Sequence, residues 1–405
     1  MILSRQLCTV ASLLLLVCAG LPAQTAKSVN VAIKETAGIR RFGFPVNTRV
    51  PFPKGALANP ANARLLLNDK EVPVECTVES RWPDGSVQWL AVDIAVTVGP
   101  KETQNFRLEY GPDVKAMPSP RPLPVSEDAA SIQVGSWRYS KSGKPLVLSV
   151  KYRNEEIATG MNGIAVTDAA GASHEISEPP KVEIVKRGPL YVLLRYTGKI
   201  ALDAQYSVPY TIEIGMPNSK AWAKFAATVE DPAKRVRELS FHTPVNMGPF
   251  PWVWDFGTAR WTYGQLQNAQ EQVTMTQTVR ANGTADWSVS LGVKGKEESY
   301  ETMDRSAPVS WVHLQAGTEA VAMFVDEAAR QPGTYKFSLG GDGQTSFRYA
   351  PAQPATKHQL TVYEHFVRTP VHIGAATSPS AGLAPLVAEW DKAQYAASGL
   401  KAPRN

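Results

Sequence analysis

Proline and glycine interrupt this 405-residue chain too often for long helices: 31 Pro and 29 Gly fall between short runs rich in Val, Ile, Thr, Tyr and Leu. Proline removes a backbone donor and breaks a helix interior, while glycine and proline together set turns. The runs at 29–33, 87–98, 106–110, 146–152, 191–200 and 210–214, then 273–279, 287–293 and 359–366, each have the length and composition of a strand. An all-β protein is therefore expected. Only the tail at 384–398, rich in alanine, has the composition of a helix.

The chain opens with a basic residue, Arg5, an apolar run at 10–17 interrupted only by Ala11 and Ser12, and small residues at Cys18, Ala19, Gly20 and Ala23. This is the layout of a secretory signal over 1–23, too short for a stable membrane span. Cleavage is expected after Ala23, with Gly20 and Ala26 as other options. Val17 argues against a lipoprotein site at Cys18. An exported, periplasmic or extracellular protein would then keep Cys76 alone, without an intramolecular disulfide. No later apolar run is long enough to span a membrane. The charge of +5 is spread without a Lys/Arg-rich block, which argues against nucleic acid as a partner.

A Pro-rich stretch at 112–124 divides a first domain (24–111) from a larger one (125–383), followed by the tail at 384–405. The first domain carries the most specific patterns. Pro83-Asp84-Gly85 is a turn between Trp82 and Trp89, with proline setting φ and glycine taking φ > 0. Strands joined by such turns suit a small barrel.

Two phrases, PVNTRVPFPKGAL at 45–57 and RWPDGSVQWLAVD at 81–93, together resemble the N-terminal RIFT barrel of the exo-rhamnogalacturonan-lyase-like family. Looser similarity continues at Arg187-Gly188-Pro189-Leu190, at 210–214 with Trp222, and at 357–365. The resemblance implies a RIFT-like β-barrel, then a large antiparallel β-sandwich of the supersandwich kind, then a short helical tail. It also implies a polysaccharide setting. In full-length relatives a long (α/α) barrel follows. This chain ends at Asn405, about forty residues past the last resembling strand, so no catalytic residue of that barrel can be carried over.

Three sets of residues are candidates for a site. In an extended segment Phe250, Trp252, Trp254 and Phe256 project to one side, near Trp261 and Tyr263. Exposed, they would make a saccharide platform; tryptophan is more often buried in a core. A lyase acting on a uronic acid needs a base, an acid and a cation, roles open to Tyr363, His365, His242 and Arg368. Tyr363 and His365 share a face of one strand, but such positions are commonly half-exposed strand residues. Arg81, with Arg40, Arg41 and Asp84, either clamps a carboxylate or pins the tight turn.

No His-x-x-x-His pair or cysteine pair suggests a metal, and no phosphate-binding loop or Gly-x-Ser-x-Gly elbow suggests a cofactor or serine hydrolase. A glycosidase pair of acids stays open, because such pairs are recognised only in space. The leading expectation is a secreted protein that binds an acidic polysaccharide beside a partner enzyme. The alternatives are a stand-alone polysaccharide lyase working from a β-sandwich cleft, and a structural or adhesive surface protein.

Overall fold

The computed structural model describes residues 27–152, 155–161, 163–218, 220–258, 260, 262–368 and 384–393. The expected leader (1–23) and Trp261 lie outside the described residues. Among the described residues the strands form five antiparallel sheets, and helical backbone is confined to two short 3₁₀ turns at Pro60–Asn62 and Glu327–Ala329 and to residues 392–393. No described helix is long and apolar enough to cross a membrane. The all-β expectation holds.

A five-stranded and a three-stranded sheet enclose the core of the N-terminal barrel. Alternation decides the inside of Val87–Val98: Leu90, Val92, Ile94, Val96 and Val98 enter the core, and Val87, of the opposite parity, joins them because the ladder slips between Val87 and Trp89. Trp89, Ala91 and Asp93 take the other face. The Pro83-Asp84-Gly85 turn forms as its chemistry requires. Gly85 sits at φ 85°, and Asp84 accepts from the backbone N and Oγ of Ser86.

The first part of the tail departs from its composition. Val387–Trp390 is a strand, paired antiparallel to Lys27–Lys34, and Trp390 fills the barrel core while donating from Nε1 to Thr48 Oγ1 at 2.8 Å. Strand thus occupies 387–390 of the helix expected over 384–398; Lys392 and Ala393 turn helical, and 394–398 lie outside the described residues. Burying Leu386 and Trp390 and pairing an open sheet edge outweighs alanine's weak helical preference.

The larger domain is a sandwich. A nine-stranded and an eight-stranded sheet face each other across one large core, and a smaller five-stranded sheet (residues 125–161) packs into the same core. Trp137 of that smaller sheet sits 5.8 Å from Phe225 and 5.5 Å from Phe366, ring centre to ring centre. In the nine-stranded sheet, alternation sends Val362, Glu364 and Phe366 inward and Tyr363 and His365 outward. The outer face of this sheet turns toward the barrel.

Candidate functional site

Barrel and sandwich enclose a cleft of about 1080 Å³. One wall comes from the outer faces of barrel strands Arg41–Pro51, Val74–Arg81 and Val87–Val98. The other is the outer face of the nine-stranded sheet, with Tyr191, Trp222, Lys224, Phe324 and Tyr363 among its residues. A buried polar junction ties the walls together. Lys186 pairs with Asp93 and lies 3.5 Å from Glu75, while Asn47 donates to Asp93 at 2.9 Å. Charges this deeply desolvated persist only when paired and hydrogen-bonded.

Strand register assembles the aromatic wall. Lys224, Tyr363 and Phe324 stand directly opposite one another on three adjacent strands, so their side chains share the outer face. Trp222 meets the Tyr363 ring edge-on at 5.4 Å, and Phe324 lies 5.7 Å from it. Tyr191 fits only because residue 215 is glycine: a Cβ there would lie 1.8 Å from the Tyr191 hydroxyl. Tyr191 and Tyr363 remain half-buried at the cleft, and Trp222 and Phe324 line it beside them but are buried. Burial, reinforced by nearby Asp93, pushes the Tyr191 phenol up to about 12, and burial raises the Tyr363 phenol further. Both stay protonated at neutral pH and available as hydrogen-bond donors.

Charge in the cleft is largely cancelled. Lys186 pairs with Asp93, Arg330 with Asp326, and the acids Glu79 and Glu213 pair with Arg49 and Arg195 outside the cleft. Lys224 is different: among the described lining residues it is the cation with no carboxylate partner. Its Nζ instead sits 5.5 Å from the centre of the Tyr363 ring. The site therefore offers one ammonium group beside aromatic faces and phenolic donors.

The other expected site residues fall elsewhere. Trp254 is 0% and Trp252 5% exposed, both inside the sandwich core, so the platform expected from them does not exist as a surface. The opposing sheet covers that face. Tyr263, on the neighbouring edge strand Thr262–Leu266, is exposed. His242 lies on the outer face of the eight-stranded sheet, hydrogen-bonded to Ser240 Oγ at 3.0 Å, which separates it from Tyr363 and His365 by the full sandwich core.

Arg81 donates from Nη1 to the carbonyls of Gly85 and Ala58 at 2.6 and 3.2 Å. It holds the turn instead of a substrate carboxylate, and through backbone acceptors, not Asp84. Arg41 is likewise internal, paired at 3.5 Å with Glu35. The side chain of Arg368 is outside the described residues; its backbone pairs with Glu319.

His365 stands beside the cleft wall, opposite Trp222 in register. Burial, with Lys220 and His313 nearby, holds its imidazole down at about 4, so it is neutral at ordinary pH. Lys220 reaches across to the barrel, where it donates to the carbonyl of Phe42. Sequence reasoning missed Tyr191, Trp222, Phe324 and Lys224 as site residues. The available signal was aromatic residues on the polar parity of their strands, as in Trp222-Ala223-Lys224.

These features define a two-domain β protein, a small barrel docked on a large sandwich with a polar-aromatic cleft between them. Residues 41–110 match the PcRGLX-like N-terminal RIFT barrel domain, which gives the N-terminal region its family. No curated protein matches the sequence. Among solved structures, an alpha-mannosidase from Enterococcus faecalis is similar over 90% of this chain and 46% of its own, at 11% identity and a TM-score of 0.57. A protein of glycosyl hydrolase family 38 from the same organism is similar over 90% and 47%, at 12% identity and a TM-score of 0.52. The chain thus spans about half the length of these structures, and the likeness is one of fold.

Proposed function

We propose that the protein is an exported glycan-binding protein whose site is the cleft between barrel and sandwich, and whose ligand carries carboxylates. The observation that carries this reading is Lys224, an ammonium without a carboxylate partner, set among Tyr191, Trp222 and Tyr363. Sugar rings stack their C–H faces on aromatic side chains. A uronate carboxylate would give Lys224 the charge-assisted hydrogen bond it lacks. The cleft volume suits several sugar residues better than one small molecule. The similar solved structures, a mannosidase and a glycosyl hydrolase, support a carbohydrate ligand, and the leader-like N-terminus supports export.

Binding is better supported than elimination. A lyase needs a base facing the ligand; burial holds the Tyr363 phenol protonated, His242 sits on the other sheet, and His365, lowered to about 4, is only a weak base. The test is affinity electrophoresis in polygalacturonate and in the same polymer after reduction of its carboxyls. Wild-type protein is retarded by the acidic gel, and Lys224→Gln weakens that by about tenfold, the worth of one charge-assisted contact. Equal retardation of wild type and Lys224→Gln would sink the assignment. Appearance of unsaturated uronate absorbance in the same mixtures would replace binding with lyase activity.

A further inference from the structure

The outer face of the nine-stranded sheet does not end at the cleft. In register from the cleft wall outward run Trp222, His365, Ala322, His313, Asp255 and Tyr263, each opposite the next on successive strands. At the usual strand spacing this row is about 24 Å long. Ala322 is the small member, and its methyl leaves a gap between two imidazoles about 10 Å apart.

Beyond that gap are two polar groups with unmet hydrogen bonds. His313 is 7% and Asp255 8% exposed, and His313 Nδ1 and Asp255 Oδ1 have no hydrogen-bond partner among the described residues. Their mutual approach, 3.7 Å from Nδ1 to Oδ2, is too long to be one. Buried polar groups in native proteins are rarely left so, and unmet ones mark where a ligand or ordered water belongs. At the far end stands Tyr263, 57% exposed, with its carbonyl held by the Tyr300 hydroxyl at 2.8 Å.

Resting on the cleft reading, we infer that the glycan site continues from the cleft across this face to Tyr263, so that the ligand is a linear chain of several sugars. The occupant is argued from chemistry and continuity. Sugar hydroxyls donate and accept at once, which suits an imidazole and a carboxylate side by side. An exposed tyrosine ring at the end of the row supplies a stacking face for a terminal sugar. The face is too polar to be an apolar protein-docking patch.

The experiment is titration calorimetry with galacturonate oligomers of two lengths, a dimer and an octamer, on wild type, Tyr263→Ala and Tyr191→Ala. Wild type binds the octamer at least tenfold more tightly than the dimer. Tyr263→Ala, at an exposed edge position, weakens octamer binding about fivefold, the loss of one aromatic contact, and leaves dimer binding unchanged. Tyr191→Ala weakens both. Equal affinity of wild type for the two lengths, or a Tyr263→Ala loss that is the same for both or absent, overturns the extended track while leaving the cleft reading intact. No binding of either oligomer to wild type removes the cleft reading, and the track with it.

Discussion

The two faces of the nine-stranded sheet use the same kinds of residue for opposite ends. The inner face carries Trp252, Trp254, His358 and Glu364, all enclosed in the sandwich core. The outer face carries Trp222, Tyr363, His365 and Lys224, arranged around a cleft. Strand parity alone separates the groups: Glu364 lies between Tyr363 and His365 in the chain and points the other way. A residue's type therefore says little here about whether it packs or binds. Its position, odd or even along the strand, says most of it.

The sharpest way to break this comparison is to truncate one aromatic residue on each face. Trp254→Ala would leave a void in a fully enclosed site and is expected to cost about 3–5 kcal/mol, lowering the urea midpoint steeply. Tyr191→Ala removes a half-buried ring from an open wall, and is expected to cost about 1 kcal/mol or less while weakening polygalacturonate retention. If both variants lose stability equally, the outer wall is core as well, and the cleft is not a binding surface.

Period-two alternation at 359–366 is enough to put Tyr363 and His365 on one side, and the structure keeps them there. Alternation does not say which parity faces the second sheet. Trp252 and Trp254 share a face as their spacing requires, but that face is internal, because the eight-stranded sheet covers it and the pattern of one strand does not show which of its faces meets a second sheet. His242 shows the same limit across sheets: no local pattern places it on the opposite side of the core. The barrel was the most legible region, because its turn and strand chemistry is local and its phrases are distinctive. Its closing strand, Val387–Trp390, was not legible, since pairing with Lys27–Lys34 is a contact between the two ends of the chain.

Titration separates the faces more gently. Glu364 is fully enclosed, with the Thr243 hydroxyl donating to Oε1 and Oε2 left without a partner. Burial pushes its carboxyl up to about 8 from an ordinary value of 4.5. The folded state therefore holds a proton that the unfolded state has lost between these values. Its contribution is full below pH 4.5 and disappears as pH rises to about 8, with a slope on the order of 1 kcal/mol per pH unit. Glu364→Gln keeps a neutral acceptor for Thr243 and removes that slope. Urea midpoints of wild type and variant between pH 5 and 8 check it: parallel curves would mean that Glu364 is ionised in the core.

The smallest effect belongs to the next residue along the strand, and its sign is reversed. His365 faces outward between Lys220 and His313, and burial together with those neighbours holds it down at about 4 from an ordinary 6.5. Here the unfolded state takes up the proton first. The contribution is full above pH 6.5 and is lost as pH falls toward 4. Because this ring is less completely enclosed than the Glu364 carboxyl, its slope is shallower. Between pH 4.5 and 6.5 the two neighbours oppose each other; above 6.5 only Glu364 acts. His365→Asn should therefore steepen the loss of stability from pH 4.5 to 6.5 and leave the curve above pH 7 parallel to wild type. A change confined to the range above pH 7 would show that His365 is charged in the folded protein, and would place it with the cations of the cleft instead of its neutral rim.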